Sequence, residues 1–265
     1  MNSVLNVSAY RFVRIDDPHA LRDDLHSRAL ACGLLGTILL APEGINLFLA
    51  GPAEPVRALL EHVRADPRFA ALDAKESWSS SQPFRRLLVK VKREIIRMNH
   101  PAIQPGESRA PAIDAVTARR WLDQGRDDGG RPVVVLDTRN AFEVRYGTFD
   151  GAIEWGLAKF SDFPQAFDSH RRELEGKAVI TFCTGGIRCE KAALYMRNAG
   201  MANVWQLDGG ILKYFEQAGG AHFKGTCFVF DGREALDARL QACSAAEHQG
   251  AAVGRPAFTS AARAA

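Results

Sequence analysis

Residues 178–197 restrict the fold of this chain more than any other segment. Residues 178–182 form an apolar run that predicts a short buried strand, and residues 189–197 have the composition of a helix. Between them stands Cys183-Thr184-Gly185-Gly186-Ile187-Arg188, which contains two glycines. A strand, a glycine-containing loop and a helix in this order predict one unit of an α/β fold.

Elements on both sides of this segment continue the alternation. The sequence predicts strands at 133–137 and 204–207 and helices at 116–124, 162–174 and 211–217. The first of these strands is apolar and ends in an acid, as expected of a buried parallel strand. Residues 114–225 are therefore predicted to form an α/β domain with a mostly parallel sheet.

The first part of the chain has a different order of elements. Periodicity predicts strand, helix, strand, strand, helix and strand, followed by a basic strand at 87–98; the first six are at 4–14, 18–32, 34–40, 47–50, 54–64 and 72–78. This order predicts a ferredoxin-like (split βαβ) α+β domain with one added strand over residues 1–98.

The remaining parts of the chain are a connection and an extension. Residues 99–113 contain three prolines and are predicted to be an extended linker. Residues 226–265 are a C-terminal extension, and its last part, from about 245, is rich in Ala, Gly and Ser with little periodicity. We expect that part to be disordered.

The loop chemistry centres on Cys183. Backbone N–H groups of the loop and the positive end of the following helix dipole favour a thiolate, and Arg188 adds a full positive charge. We interpret Cys183 as a nucleophile or persulfide carrier, and Arg188 as a group that orients the loop or binds an anion. The alternatives are a buried structural cysteine and a structural salt bridge. The predicted anion-binding loop is completed by Thr184, Gly185, Gly186 and Ile187.

Three further residues are expected to support this site. Asp137 and Arg139 stand where a predicted strand ends, at the edge where α/β sheets bind ligands. Arg139 would line the pocket, whereas Asp137 would brace the loop. Cys189 is either a resolving thiol for an oxidised or persulfide form of Cys183, or a small apolar residue in the first helical turn.

Composition narrows the class of protein. The chain is 46% hydrophobic and 25% charged, as in soluble globular proteins, and no apolar run is long enough to span a bilayer. Five scattered cysteines disfavour a disulfide scaffold and a structural zinc site. Without a visible signal peptide, we expect a cytoplasmic protein with reduced thiols, no membrane association and no metal. The oligomeric state is not predicted.

Charge is unevenly distributed although the net charge is only +3. Residues 84–98 contain six basic residues and one acidic residue, Glu94. Such a run is able to face phosphates, and the alternative is a solvated strand edge whose charges discourage aggregation.

Several segments resemble known families. Residues 114–218 are similar to rhodanese-like domains in the cysteine loop, in Asp137-Thr138-Arg139-Asn140 with the following Glu143, and in Leu207-Asp208-Gly209-Gly210-Ile211. A wider resemblance, over roughly residues 4–232, is to the tRNA uridine hydroxylase family. It rests on Ala41-Pro42-Glu43-Gly44-Ile45-Asn46, on the basic run 89–96 and above all on Cys183–Lys191.

The wider resemblance implies an activity. It implies oxygen-dependent conversion of the wobble uridine of tRNA, position 34, to 5-hydroxyuridine. Molecular oxygen would be the co-substrate, with no other cofactor evident, and the anticodon region of tRNA would be the partner. Lys90, Lys92 and Arg93 would then contact the tRNA backbone.

Other functions stay open at this point. A rhodanese-type sulfurtransferase would carry a persulfide on Cys183, and an RNA-binding protein would keep the domain without its chemistry. A cysteine phosphatase is disfavoured, because only four residues separate Cys183 from Arg188 and the loop is small for phosphate.

Overall fold

A computed structural model describes residues 4–243 as two five-stranded sheets with helices packed on them. The elements of the first half are β1 (Val4–Phe12), α1 (Pro18–Ala31), β2 (Leu35–Ala41), β3 (Gly44–Gly51), α2 (Ala53–Ala65), β4 (Ala74–Ser79) and β5 (Leu87–Val91). A single 3-10 turn, Pro67–Phe69, precedes β4. Mixed α/β architecture and the order of elements expected for this half are confirmed.

The first sheet has the strand order β4-β1-β3-β2-β5, with β5 parallel to β2 and the other neighbours antiparallel. Alternation along β1 explains its two faces. Leu5, Val7 and Ala9 are buried in a core that includes apolar residues of α1 and α2. Asn6, Ser8 and Tyr10 lie on the opposite face, which carries neither of these helices. That polar face is free to cover the second sheet.

The added strand is shorter than the sequence predicts. It was expected to run to Met98, but β5 ends at Val91 because β2, its strand partner, turns into β3 after Ala41. Lys92 donates one last backbone hydrogen bond to Leu40, and the chain then leaves the sheet. The prediction that Lys92 and Arg93 belong to a basic strand is therefore wrong, whereas Lys90 is within β5.

The second half contains the parallel sheet. Its elements are β6 (Ala112–Ile113), α3 (Ala115–Gln124), β7 (Val133–Asp137), α4 (Ala141–Val144), β8 (Gly147–Phe149), β9 (Ile153–Glu154), α5 (Phe163–His170), β10 (Ala178–Phe182), α6 (Ile187–Asn198), β11 (Val204–Leu207), α7 (Gly210–Ala218), β12 (Phe223–Gly225), β13 (Cys227–Phe228) and β14 (Ala235–Leu236). The order β6-β11-β10-β7-β9 is parallel throughout, which confirms the predicted sheet. Helices α3 and α7 pack on one face, and α5 and α6 on the other.

Two boundaries in this half differ from the predicted ones. Helix α6 begins at Ile187 rather than at Cys189, because Gly186 adopts a left-handed conformation directly before it. Arg188 is consequently in the first helical turn and not in the loop. The predicted helix 162–174 stops at His170 and continues as a 3-10 turn, Arg171–Leu174, after a first such turn at Phe160–Asp162.

The predicted linker and extension both contact the folded body. The predicted linker, 99–113, contains β6 at its end, and its Ile103 and Ala110 are buried. From the extension, β13 and β14 form a hairpin whose Phe228 ring packs on Phe142. The predicted disordered tail lies outside the described residues. Within residues 4–243, no helix has the length and apolar character needed to cross a membrane.

Candidate active site

A cavity of about 420 Å³ lies between the two sheets. The cysteine loop and the start of α6 form its floor, and the helix-free face of the first sheet forms its roof through Ser8, Tyr10, Phe48 and Lys75. The hairpin of β13 and β14 contributes Phe230 and Arg233 to the wall. A cavity of this size is in the range that proteins use for small ligands, and a single nucleobase is one such ligand.

Cys183 stands directly after β10 and contacts this cavity, although its residue is 0% exposed. Its Sγ accepts a hydrogen bond of 3.2 Å from the N–H of Gly186. Burial alone would raise the pKa of the thiol. The Cys189 thiol, the Arg188 guanidinium and the backbone N–H groups of residues 188 and 189 outweigh it and lower the pKa to about 5. Cys183 is therefore a thiolate at neutral pH, and it lines the cavity.

The loop around Cys183 is anchored from below by α7. The N–H groups of Ile211 and Leu212, at the start of that helix, donate to the carbonyls of Cys183 and Thr184 at 2.9 and 3.1 Å. Gly210 has φ +66°, and a Cβ there would lie 2.4 Å from the Cys183 carbonyl oxygen. Glycine at this position allows the helix to approach the loop so closely.

Arg188 is bound to Glu143 in a two-pronged salt bridge that is almost fully buried. Glu143 comes from α4, where its carboxylate also accepts from the N–H of Asn140. The guanidinium carbon of Arg188 lies 5.8 Å from the ring centroid of Phe230. Arg188 thus has a structural salt bridge and still lines the cavity and stabilises the Cys183 thiolate.

Asp137 and Arg139 form a second buried pair beneath the site. Arg139 donates to both carboxylate oxygens of Asp137 and to the carbonyl of Gly147, and Thr148 also donates to Asp137. The prediction that Arg139 lines the pocket is wrong, because its guanidinium is directed to these acceptors and is 0% exposed. Asp137 braces the chain beneath the loop rather than the loop itself.

Cys189 lies close to the reactive sulfur. Its Sγ is 3.9 Å from that of Cys183 and 3.1 Å from the carbonyl oxygen of Gly186. Burial and the neighbouring Cys183 raise the pKa of Cys189 well above its ordinary value. The two sulfurs are consequently a thiolate and a protonated thiol, and the resolving role of Cys189 stays a prediction.

The other predicted loop residues fill distinct positions. The hydroxyl of Thr184 donates to the Phe228 carbonyl at 3.3 Å, which joins the loop to the hairpin. Gly185 lines the cavity opposite Ser8, and Ile187 packs in a small cluster with Phe12.

The predicted RNA-contact residues lie on the surface. Lys90, Lys92 and Arg93 are exposed, and none forms an ion pair with any residue from 4 to 243. Lys90 is paired in register with Leu39, which lines the cavity, so it lies on the same face of the first sheet as the roof.

Sequence reasoning missed the contribution of the first sheet to the site. Lys75 and Tyr10 were not singled out, and neither was Phe230 in the extension. The available signal was the alternation along β1, which places apolar side chains on one face of the strand and polar side chains on the other. A polar face of this kind is able to line a site as well as to face solvent. Within residues 4–243, no group of three or more His, Cys, Asp or Glu is arranged to hold a metal ion.

The pKa of Cys183 predicts how its alkylation depends on pH. Only the thiolate reacts, so the rate with iodoacetamide is expected to rise through about pH 5 and to be constant above about pH 7. Mass spectrometry of the Cys183 peptide measures the rate, and Cys227, whose pKa burial raises to about 12, is the internal control. A rate that still increases about tenfold per unit above about pH 7 would contradict the assignment.

Comparison with known proteins agrees with this architecture. Residues 4–95 match the family model of a UPF0176 acylphosphatase like domain, and residues 118–217 match that of a rhodanese-like domain. A protein of Variovorax paradoxus strain S110 named tRNA uridine(34) hydroxylase is 63% identical over 92% of this chain and 93% of its own length. A protein of the same name from Bordetella pertussis strain Tohama I is 61% identical over 91% of this chain and 98% of its own. A third, from Burkholderia ambifaria strain MC40-6, is 58% identical over 90% and 86%.

Proposed function

Because this chain belongs to the tRNA uridine(34) hydroxylase family, we propose that it converts the wobble uridine of tRNA to 5-hydroxyuridine in the cavity that contains Cys183. Molecular oxygen is the co-substrate of this reaction. A tRNA substrate implies that the protein works in the cytoplasm and engages the anticodon region. Cys183 is the catalytic residue, and Arg188 holds the charge that keeps it ionised.

One observation carries this proposal. A thiolate lies at the floor of a partly open cavity whose roof comes from a different sheet. A base within an RNA stack cannot reach such a sulfur, whereas a base splayed out of a loop is able to enter. The unpaired nucleotides of an anticodon loop are of that kind, which supports wobble uridine as the target.

Nucleoside mass spectrometry of tRNA tests the proposal. In a strain that lacks the gene, 5-hydroxyuridine should be absent, and the wild-type gene should restore it. Cys183→Ala should not restore it, whereas Cys32→Ala, at the end of α1 and remote from the cavity, should. Full restoration by Cys183→Ala would overturn the role of this sulfur.

The sulfurtransferase alternative gives a different result in the same strains. It predicts thiocyanate formation from thiosulfate and cyanide, and a mass increase of one sulfur on Cys183. The names of the relatives favour the hydroxylase. Sulfur transfer at a normal rate, with unchanged 5-hydroxyuridine in the deletion strain, would favour the alternative.

Phe230 is proposed as the aromatic surface on which the base stacks. It is 49% exposed at the cavity wall, although it is a large apolar side chain. Stacking on an aromatic ring is worth about 1–3 kcal/mol per base, so Phe230→Ala is expected to raise KM for tRNA by about 5- to 150-fold. Phe230→Trp should retain most of the affinity. Equal KM values for the Ala and Trp variants would exclude a stacking role.

The basic residues around the end of β5 are proposed to contact tRNA phosphates. Substituting Lys90, Lys92 and Arg93 together by Gln should lower the slope of log Kd against log salt by about 2. The control replaces Arg22, Arg28 and Arg57 by Gln, which removes the same number of charges from α1 and α2, the helices on the other face of the first sheet; each of these arginines pairs with a carboxylate. Filter binding at several salt concentrations measures both slopes, and an equal change in the control would contradict a specific contact.

A further inference from the structure

Lys75 is a buried cation in the roof of the Cys183 cavity. It belongs to β4, and its register with Ser8 places it on the helix-free face of the first sheet. Its residue is only 8% exposed, and it lines the same cavity as Cys183. Lys75 also lines a second cavity, together with Asp73 and Asp208, and so borders both spaces.

The ammonium group of Lys75 has no hydrogen-bond acceptor or ion-pair partner among residues 4–243. Its Nζ lies 5.2 Å from the centroid of the Tyr10 ring, in a cation–π contact. The other buried cations of the cavity are paired, Arg188 with Glu143 and Arg233 with Asp231. Asp73 and Asp208 attract this charge from beyond ion-pair distance, and no group of residues 4–243 accepts a hydrogen bond from it, so a ligand in the cavity is able to supply the acceptor.

Uracil offers such an acceptor at O4. Its C5=C6 double bond is conjugated with the C4=O4 carbonyl. When a thiolate adds to C6, an S–C6 bond forms, the C5=C6 π bond breaks, and the electron pair moves through C5 to O4. The product is an enolate with negative charge on O4 and a nucleophilic C5. The step is redox-neutral and needs no oxidant.

On the basis of the proposed function, we propose that Cys183 adds to C6 of the uracil ring while Lys75 donates a hydrogen bond to O4, where the negative charge develops. Both groups line one cavity, Cys183 from the cysteine loop and Lys75 from the first sheet. A fixed donor directed at a developing oxyanion lowers the barrier because it needs no rearrangement during the reaction. The addition makes C5 electron-rich, and C5 is the carbon that receives oxygen in 5-hydroxyuridine.

Exchange of the C5 hydrogen with solvent tests this step without oxygen. The enolate takes a deuteron from D₂O at C5, and loss of the original C5 proton with expulsion of the thiolate returns a deuterated uridine. The substrate is tRNA from the deletion strain, incubated anaerobically with the full-length protein. Nucleoside mass spectrometry then detects uridine heavier by one mass unit.

Wild-type protein is expected to catalyse the exchange, and Cys183→Ser to lose it. Lys75→Met should slow it by about 100-fold while the Kd for tRNA changes less than about twofold. Lys75→Arg, which keeps a cation, should retain a measurable part of the rate. Lys224→Met is the matched control, since that lysine is exposed and pairs with Asp150 outside the cavity.

The outcomes separate the inference from the proposed function. Exchange by Lys75→Met at the wild-type rate would overturn the role of the lysine. Hydroxylation by the wild type without any C5 exchange would overturn the addition and leave the proposed function standing. Absence of hydroxylation in the complemented strain would instead remove the proposed function. If Lys75→Met does not fold, a Lys75→Arg protein as inactive in exchange as Cys183→Ser, although folded and able to bind tRNA, would reject the proposal.

Discussion

Glu143→Gln is expected to lower the free energy of unfolding by about 3–5 kcal/mol, because it leaves the Arg188 guanidinium buried without its counter-charge. Both side chains are almost fully buried, so solvent cannot replace the lost carboxylate. Arg188→Met should have an effect of similar size, since it leaves the Glu143 carboxylate uncompensated. Urea denaturation followed by circular dichroism measures both changes.

The double variant Glu143→Gln/Arg188→Met distinguishes pairing from packing. It contains neither charge, so its loss of stability should be smaller than the sum of the two single losses by about 2 kcal/mol or more. The double variant should remain inactive even where it is more stable than the sum of the single losses implies, because the pKa of Cys183 rises once Arg188 is gone. Additive losses would show that the two charges do not interact, which would contradict the buried salt bridge.

Lys191→Met is the second substitution with a large expected effect. Lys191 belongs to α6 and is 1% exposed, and its Nζ lies 2.8 Å from Glu43 and 2.7 Å from Glu94, both contributed by the first half of the chain. It also donates to the carbonyl of Ile96 at 2.9 Å. The substitution removes these bonds and leaves two carboxylates close together, so we expect a loss of about 3 kcal/mol or more at neutral pH. The roof of the cavity would separate from its floor, and activity would fall with it.

The pH dependence of this loss has a defined sign. Partial burial opposes ionisation of Glu94, but Lys191 and backbone N–H groups outweigh it and lower its pKa. The resulting stabilisation is present above the ordinary carboxyl pKa and is lost as the pH falls through the folded value. Burial outweighs Lys191 at Glu43 and raises the pKa of that carboxyl, so its part of the interaction is lost at a higher pH than that of Glu94. The difference between wild type and Lys191→Met should therefore be largest at neutral pH, shrink as each carboxyl is protonated, and be small below about pH 4.

Lys213→Met is the matched control for this prediction. Lys213 also joins the two halves, through Asp73 and Asp208, but these carboxylates are 60% and 33% exposed. Exposed ion pairs contribute about 0–1 kcal/mol to stability, so Lys213→Met should lower the free energy of unfolding only slightly. Limited proteolysis between the halves should accelerate in Lys191→Met and not in Lys213→Met. Equal behaviour of the two variants would show that the buried ammonium does not join the halves.

Local periodicity was sufficient for most of the fold. Alternation along β1 and the apolar run of β10 report which side chains are buried, and burial patterns are set within a few residues. The strand, glycine loop and helix around Cys183 were likewise recognisable, because the dipole and the loop N–H groups are local features. The end of β5 was not recognisable, since it depends on where its neighbour β2 turns.

The pairing of charges could not be read from the chain. Arg139 was expected in the pocket, but the fold directs it to Asp137, whereas Arg188 found its partner in Glu143, 45 positions earlier. Arg139 pairs with an acid two positions away, whereas Arg188 pairs with a distant acid although Glu190 is only two positions away. Only packing, which removes water from particular pairs, decides which of them form.

By itself, the sequence determined the α+β unit, the α/β unit with its parallel sheet, and the loop that ionises Cys183, because these follow from hydrogen bonding and burial within short segments. Only the tertiary structure decided that the helix-free face of the first sheet would cover that sulfur, with Lys75 and Tyr10 in the roof and Phe230 at the wall. The physical reason is that a cavity is produced by surfaces far apart along the chain, whose approach is set by long-range contacts such as that of Lys191 with Glu43 and Glu94.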